Sequence, residues 1–299
     1  MKRKWIRRVS WILLTPVLLF VILMILLYIP PVQNLLRREV TAYASKATGM
    51  QIQVERIDLR FPLNLLVRGV EVIQQPDTLL SLESLNVRVQ AWPLVKGKVE
   101  VDEVTLSQVA FNSANLIEGM KIKGVLGRFF LQSHGVDLSN ELAVINQTEL
   151  SDTHVQMLMN DTTTTPKDTT ASAPVNWKVD LHKLKLKNVS FSMQLPADSM
   201  RMAAHIGEAF INDAQADLKN QFYELKQFLL SGSSANYDTG AAKPGEGFDA
   251  SHIAVRDIRI GLDSLLYKGR DMNAVIREFS MNERSGLSIT SLTGRAFSN

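Results

Sequence analysis

Along much of the chain, apolar residues recur at offsets of 0, 2, 5 and 7. In VEVDEVTL they are Val99, Val101, Val104 and Leu106. On a helix, at about 100° per residue, these positions point at roughly 0°, 200°, 140° and 340°, so no face collects them. On a strand the two outer steps alternate correctly and only the middle step is odd. One extra residue between Val101 and Val104, held in a bulge, keeps all four on one side. The pattern predicts a bent strand with a single apolar face. It returns at Ile52, Val54, Ile57, Leu59; at Leu65, Val67, Val70, Val72; at Leu80, Leu82, Leu85, Val87; at Val179, Leu181, Leu184, Leu186; and at Ile253, Val255, Ile258, Ile260. Looser copies lie at Tyr223, Leu225, Phe228, Leu230 and at Ala274, Ile276, Phe279, Met281. The intervals between copies are irregular, which excludes a fixed-period solenoid of the leucine-rich or ankyrin kind.

The other elements frame this β region. Residues 9–29, VSWILLTPVLLFVILMILLYI, carry no charge, and a helix needs about 20 such residues to cross a bilayer. Pro16 is tolerable in a membrane helix. The run is longer than the apolar core of a signal peptide, about 7–15 residues, and lacks a small-residue cleavage site, so it predicts an uncleaved transmembrane anchor. A second helix is expected over 31–48, started by Pro31 and stopped by Gly49. It would lie over the end of the first strands or against a membrane surface, capping being the simpler role. Residues 51–159 form the first part of the expected β groove, with WPLVKG as a turn between long strands. Within it, Gly119, Gly124, Gly127 and Gly135 predict shorter or irregular strands over 112–159. The segment 160–176, NDTTTTPKDTTASAPVN, is poor in large apolar residues and predicts a disordered insertion that interrupts one architecture. The second part of the groove, 177–299, is expected to continue beyond the chain end. One stretch is ambiguous: Ile211, Ala214, Leu218, Phe222, Leu225 and Leu229 suit an amphipathic helix, yet YELKQFLL alternates and strands flank it. The strand reading is preferred.

Composition changes this picture in two places. Of 33 Lys and Arg, five (Lys2, Arg3, Lys4, Arg7 and Arg8) stand in the first eight residues, leaving 28 against 30 Asp and Glu. The basic pI is therefore a topology signal that keeps residues 1–8 cytoplasmic, and no basic block with interleaved aromatics points to nucleic acid. The chain has no cysteine, so disulfides and thiolate metal ligands are excluded. Part of the 45% hydrophobic content is the 9–29 run; the rest suits a chain that buries a core.

Candidate chemistry is sparse. His134, His154, His182, His205 and His252 are dispersed without metal-ligand spacing. GEGFDA, Gly245–Ala250, resembles a dinucleotide loop but follows DTGAAKP rather than a buried strand, and reads as a hairpin loop. Asp102 and Glu103 read as residues of a solvated face or a bulge. No catalytic residue, metal site or cofactor is expected, and the chain is not expected to be an enzyme.

The N-terminal anchor, the helix ending in ATGMQIQVERIDLRF, the WPLVKGKVEVDEVTL unit and the NVSFSM strand together resemble the AsmA-like superfamily, most closely the amino-terminal part of TamB-like translocation and assembly proteins. Gly49 matches the glycine before the first strand. Pro93, Leu94 and Gly97 match a P-L-x-x-G turn, and Val99 to Leu106 the strand after it. REFSMNERSGLSITSLTGRAF is similar to the Bacteroidota-type version. The fold this implies is mainly β: a transmembrane helix and short capping helix, then a long curled antiparallel sheet forming an open, taco-like groove. The resemblance further implies a single-pass inner-membrane protein, its N-terminus cytoplasmic and its bulk periplasmic, that carries phospholipid acyl chains towards the outer membrane. An outer-membrane barrel protein of the TamA or BamA kind is the implied protein partner, and an assembly role by strand pairing the alternative. TamB-like chains are usually longer, and some twelve to sixteen strands at about 4.8 Å give only roughly 60–75 Å. Val99, Val101, Val104, Leu106, Val179, Leu181, Leu184, Leu186, Ile253, Val255, Ile258 and Ile260 are the residues expected to line the groove.

Overall fold

Helix α1, Pro30–Thr48, starts on two prolines, whose missing N–H groups cost nothing in a first turn, and ends at Gly49 in the left-handed region, φ 70°, with its N–H bonded to the Ser45 carbonyl. The computed structural model describes residues 29–60, 63–90, 92–93, 100–137, 140–160, 176–240 and 243–298. The expected membrane span and the basic segment before it lie outside these residues, save Ile29. Among the described residues no helix is long and apolar enough to cross a membrane.

Twelve strands follow α1: β1 Gln51–Arg60, β2 Asn64–Gln74, β3 Asp77–Val89, β4 Val101–Asn112, β5 Met120–Asp137 and β6 Leu142–Met159, then β7 Lys178–Leu195, β8 Met200–Asp217, β9 Phe222–Asp238, β10 His252–Lys268, β11 Asp271–Glu283 and β12 Ser288–Ser298. They form one sheet in strict chain order, and the sheet does not close. Polar side chains of α1 lie along the first edge strand: Gln33 Nε2 donates to the Leu59 carbonyl at 3.1 Å, Arg37 Nη1 donates to the Glu55 carbonyl at 2.7 Å, and Ser45 Oγ accepts from the Ile52 N–H at 3.1 Å.

Two expectations are corrected. The sheet is not wholly antiparallel, because β6 and β7 pair in parallel, Leu142 beside Lys178 and Leu158 beside Gln194. A parallel step needs a crossover of a dozen or more residues, and 160–177 supplies it; the Thr-rich stretch is the connection that returns the chain to the starting end of the sheet. The stretch 112–159 is not made of short strands, since β5 and β6 each have 18 residues. Its glycines sit where neighbours come close: a Cβ on Gly127 would stand 2.7 Å from Asp152 Cβ, and one on Gly124 would stand 2.5 Å from the Phe111 ring. The turn of VKG and Val99 lie outside the described residues, though β3 and β4 pair antiparallel on either side of them.

The ambiguous 211–230 stretch is strand, turn and strand. Ile211 pairs with Phe228 and Ala214 with Leu225, while Leu218 sits exposed in the turn, which Asp217 closes by accepting from the Asn220 N–H and Nδ2. Residues of good helix propensity are overridden by pairing with neighbours on both sides.

The odd step of the 0-2-5-7 pattern has a collective form. Val54 pairs with Val70 and Arg56 with Arg68, leaving Glu55 and Gly69 unmatched between them, so both strands slip together and keep register. The same gap crosses the next strands through Glu83, Gln108, Gly127 and Asp152, then Asn188 and Gly207 to Gly232. The result is a crease running across the sheet. Left-handed backbone appears along it at Gly69, Gln108, Asp152, Asn188, Gly232 and, in β10, Asp257, mostly the residue types that tolerate it. Antiparallel neighbours from β2 to β6 alternate between left-handed and ordinary backbone at the crease. The parallel step breaks the alternation: Asp152 and Asn188 are both left-handed and joined, Asn188 Nδ2 to Asp152 Oδ1, at 2.8 Å.

A second crease lies about six residues, roughly 20 Å, along the strands. In β4 it is a bulge at Asp102, since Arg88 pairs with Glu103 and Val89 with Val101; this is the bulge that VEVDEVTL predicts. Further on it passes between Leu181 and Lys183 in β7 and between Asn212 and Ala214 in β8.

Candidate functional site

The two creases hold the apolar positions of every strand on one side of the sheet, where they line up in rows. One row runs across all twelve strands without a polar member. It begins Ile57, Val67, Leu85, Leu106, Phe129, Leu150. Beyond the parallel step it continues Leu186, Ala209, Leu230, Ile260, Phe279, Leu292. A parallel row one pleat away holds Leu65, Val87, Val104 and Leu131, and after Thr148 resumes with Leu184, Ile211 and Phe228. Adjacent members are one strand spacing apart, so the unbroken row is roughly 53 Å long at about 4.8 Å per strand.

Among the described residues nothing seals this face. No large side chain in them is fully buried, and of the unbroken row only Ile57 and Ala209 are buried. A sheet face packed against another layer carries a core of fully buried aliphatic side chains; here the aliphatic residues stay half-exposed. Several Ser and Thr hydroxyls near the creases on this side are turned into the backbone: Thr148 Oγ1 donates to the Phe130 carbonyl, Thr153 Oγ1 to the Ser151 carbonyl and Ser233 Oγ to the Ser231 carbonyl, at 3.1, 3.2 and 3.2 Å. Ser133 Oγ likewise donates to the Val101 carbonyl at the second crease. These bonds supply partners for carbonyls near the creases and keep free polar atoms off the apolar surface.

The residues singled out from the sequence fall on this face in β4, β7 and β10, all half-buried except Val99, which lies outside the described residues. Leu106, Leu186 and Ile260 share the unbroken row; Val104 and Leu184 share the next. They do not touch one another, being three strands apart. Sequence reading missed Phe129, Leu150 and Ala209, which connect them, and had Leu230 only in a looser copy of the pattern. The signal was present but diluted by small residues: Gly124, Leu126, Phe129 and Leu131 in β5 and Ala204, Ile206, Ala209 and Ile211 in β8 keep the 0-2-5-7 spacing.

Charged and polar side chains collect at the creases. His182 Nδ1 lies 3.1 Å from Asp213 Oδ1, Lys226 Nζ 3.7 Å from Asp213 Oδ2, and Arg277 Nη1 3.3 Å from Asp263 Oδ1. The hydrogen bond from His182 holds the Asp213 carboxyl below its usual range, with Lys226 adding to it against partial desolvation. His134 bonds Asn146, His154 bonds Gln156 and His205 bonds Ser190. The fifth histidine, His252, bonds Asp249 at 2.9 Å in the β9–β10 loop, which contains the GEGFDA sequence. Among the described residues no group of three His, Asp or Glu is placed to hold a metal. The polar groups are occupied with near neighbours, most of them across a strand pair and His154 and His252 within their own segment, and do not converge on a common point.

No family model matches the chain, and no curated protein matches it in sequence.

Proposed function

We propose that this chain is a bridge-like lipid carrier of the AsmA-like kind, holding phospholipid acyl chains along the apolar rows of its sheet. The single observation behind this reading is the unbroken row from Ile57 to Leu292, half-exposed at all its positions but Ile57 and Ala209 and exposed at Leu292. Contiguous apolar surface on this scale marks a surface that meets something, and each methylene moved onto it from water is worth about 0.8 kcal/mol. Because that stabilisation is the same at every strand, a tail slides rather than docks, and no catalytic group is required. The charge-free 9–29 run and the basic residues before it supply an inner-membrane tether, which places the sheet in the periplasm.

The test is photo-crosslinking in cells. A photoreactive residue at Phe129 or Leu230 captures phospholipid, while one at Lys185 or Glu208, on the other side of the sheet, does not. Charged substitutions at Val101 and Leu184 remove the lipid adducts without lowering thermal stability by more than about 1 kcal/mol, since half-exposed sites tolerate charge. Absence of lipid at both inward positions in a folded protein removes the reading. A second reading rests on β12, which pairs with β11 alone among the described residues. An unpaired edge accepts a strand from another protein, so an assembly role with an outer-membrane barrel protein predicts a stable complex that lacks bound lipid.

A further inference from the structure

We infer that α1 rests on the bilayer surface, with Ile29, Leu35, Val40 and Tyr43 at the headgroup boundary and its other side clamped to β1. The inference rests on the membrane-tethered reading above and adds the contact that orients the sheet. At about 100° per residue, Ile29, Leu35, Val40, Tyr43 and Ala47 fall within an arc of about 140°. Gln33, Arg37 and Ser45, which bond the β1 backbone, lie outside this arc, Ser45 opposite its centre and Gln33 at its edge. The helix therefore sets polar side chains against the protein and leaves these apolar ones exposed to solvent, with Glu39 and Lys46 among them. Tyr43 is 77% exposed, Leu35 58%, Val40 46% and Ile29 37%.

Two observations choose a lipid surface as the occupant. The helix begins directly after the charge-free run 9–29, so its first turn stands where that run would leave a membrane. With Arg37 held on β1, its exposed charged residues are Arg38 and Lys46 against Glu39, a balance that suits anionic headgroups, and an interfacial helix joins such basic residues to aromatic and aliphatic ones. Seated this way, α1 holds β1, and with it the Ile57 end of the apolar row, beside the bilayer.

The chain lacks cysteine, so single substitutions label one site each. The full chain carrying Leu35→Cys or Tyr43→Cys, labelled with an environment-sensitive fluorophore, is reconstituted in phosphatidylethanolamine–phosphatidylglycerol vesicles and compared with Asn220→Cys in the β8–β9 turn. Labels at 35 and 43 are expected to be quenched by a headgroup-level lipid nitroxide and to be about threefold less accessible to iodide than the label at 220. Equal iodide accessibility at the three sites, in protein that floats with the vesicles, overturns the inference and leaves the tether standing. Disulfide-linked dimers of the Tyr43→Cys protein would overturn it in favour of a second copy. Failure of the full chain to float with vesicles removes the tether and the inference together.

Discussion

At the scale of single residues, the creases explain choices that propensity alone does not. Gly207 has an ordinary backbone, yet a Cβ there would lie 2.5 Å from the Gly232 carbonyl oxygen and 2.9 Å from that of Ser231. Those are backbone atoms of the paired strand and cannot swing aside. Gly207→Ala should cost about 1–3 kcal/mol, as overpacking does, whereas Gly294→Ala in β12, where nothing lies within 4 Å, should stay within about 0.5 kcal/mol. Thermal or urea unfolding measures both, and equal costs would refute the close approach. Asp249 makes a different residue-level prediction. Its carboxylate accepts from the Gly245 N–H, the Ser251 N–H and His252, which hold its pKa below the ordinary carboxylate range. A depressed carboxylate stabilises the fold above its unfolded pKa, about 3.9, and that contribution is lost as pH falls through the lower folded value. Asp249→Asn should therefore weaken the protein at pH 7, and its stability should converge with that of the parent protein as pH falls below the lowered folded value. A constant gap across that range would show that the carboxylate's charge plays no part.

At the scale of elements, the bent strands were legible because the slip is written into each strand separately: wherever two polar residues replace one between apolar pairs, the structure has a crease. The helix over 31–48 was legible from its prolines and Gly49. What a single strand cannot record is its partner. The pattern of β6 and β7 is the same whether they run parallel or antiparallel, and the glycines of β5 look like breakers until Phe111 and Asp152 are beside them. The parallel step itself depends on chain length. β6 has 18 residues, on the order of 55 Å of strand, and residues 160–177 must return that distance to place Lys178 beside Leu142. Deleting 161–170 leaves a connection that reaches only about 32 Å at about 3.5 Å per residue. The His154→Cys, Ser190→Cys pair, adjacent in the parallel register, should be joined by a short thiol crosslinker in the parent protein and in a variant with Gly and Ser replacing 161–170. It should not be joined in the deletion. Crosslinking in the deletion would mean that length is not what sets the step.

At the scale of the whole molecule, the two edges of the sheet differ: α1 lies along β1, and β12 pairs on one side only. The apolar row joins them, and its continuity is a property of no single strand, which is why isolated strands identified some of its members but not its course. Continuity also makes the conduit reading testable at one point. Leu150, in β6, pairs with Phe129 on one side and Leu186 on the other, and the flanking rows carry hydroxyl residues at this strand, Thr148 and Thr153, so the unbroken row is the least interrupted path there. Leu150→Asp places a charge in that path at a half-exposed site where the fold should tolerate it. If lipid enters at the α1 end, adducts at Leu106 should persist in this variant while those at Leu230 fall about tenfold; entry from the β12 end predicts the reverse. Equal adducts on both sides of Leu150, with the protein folded, would mean that tails bind each strand from solution and do not travel along the row.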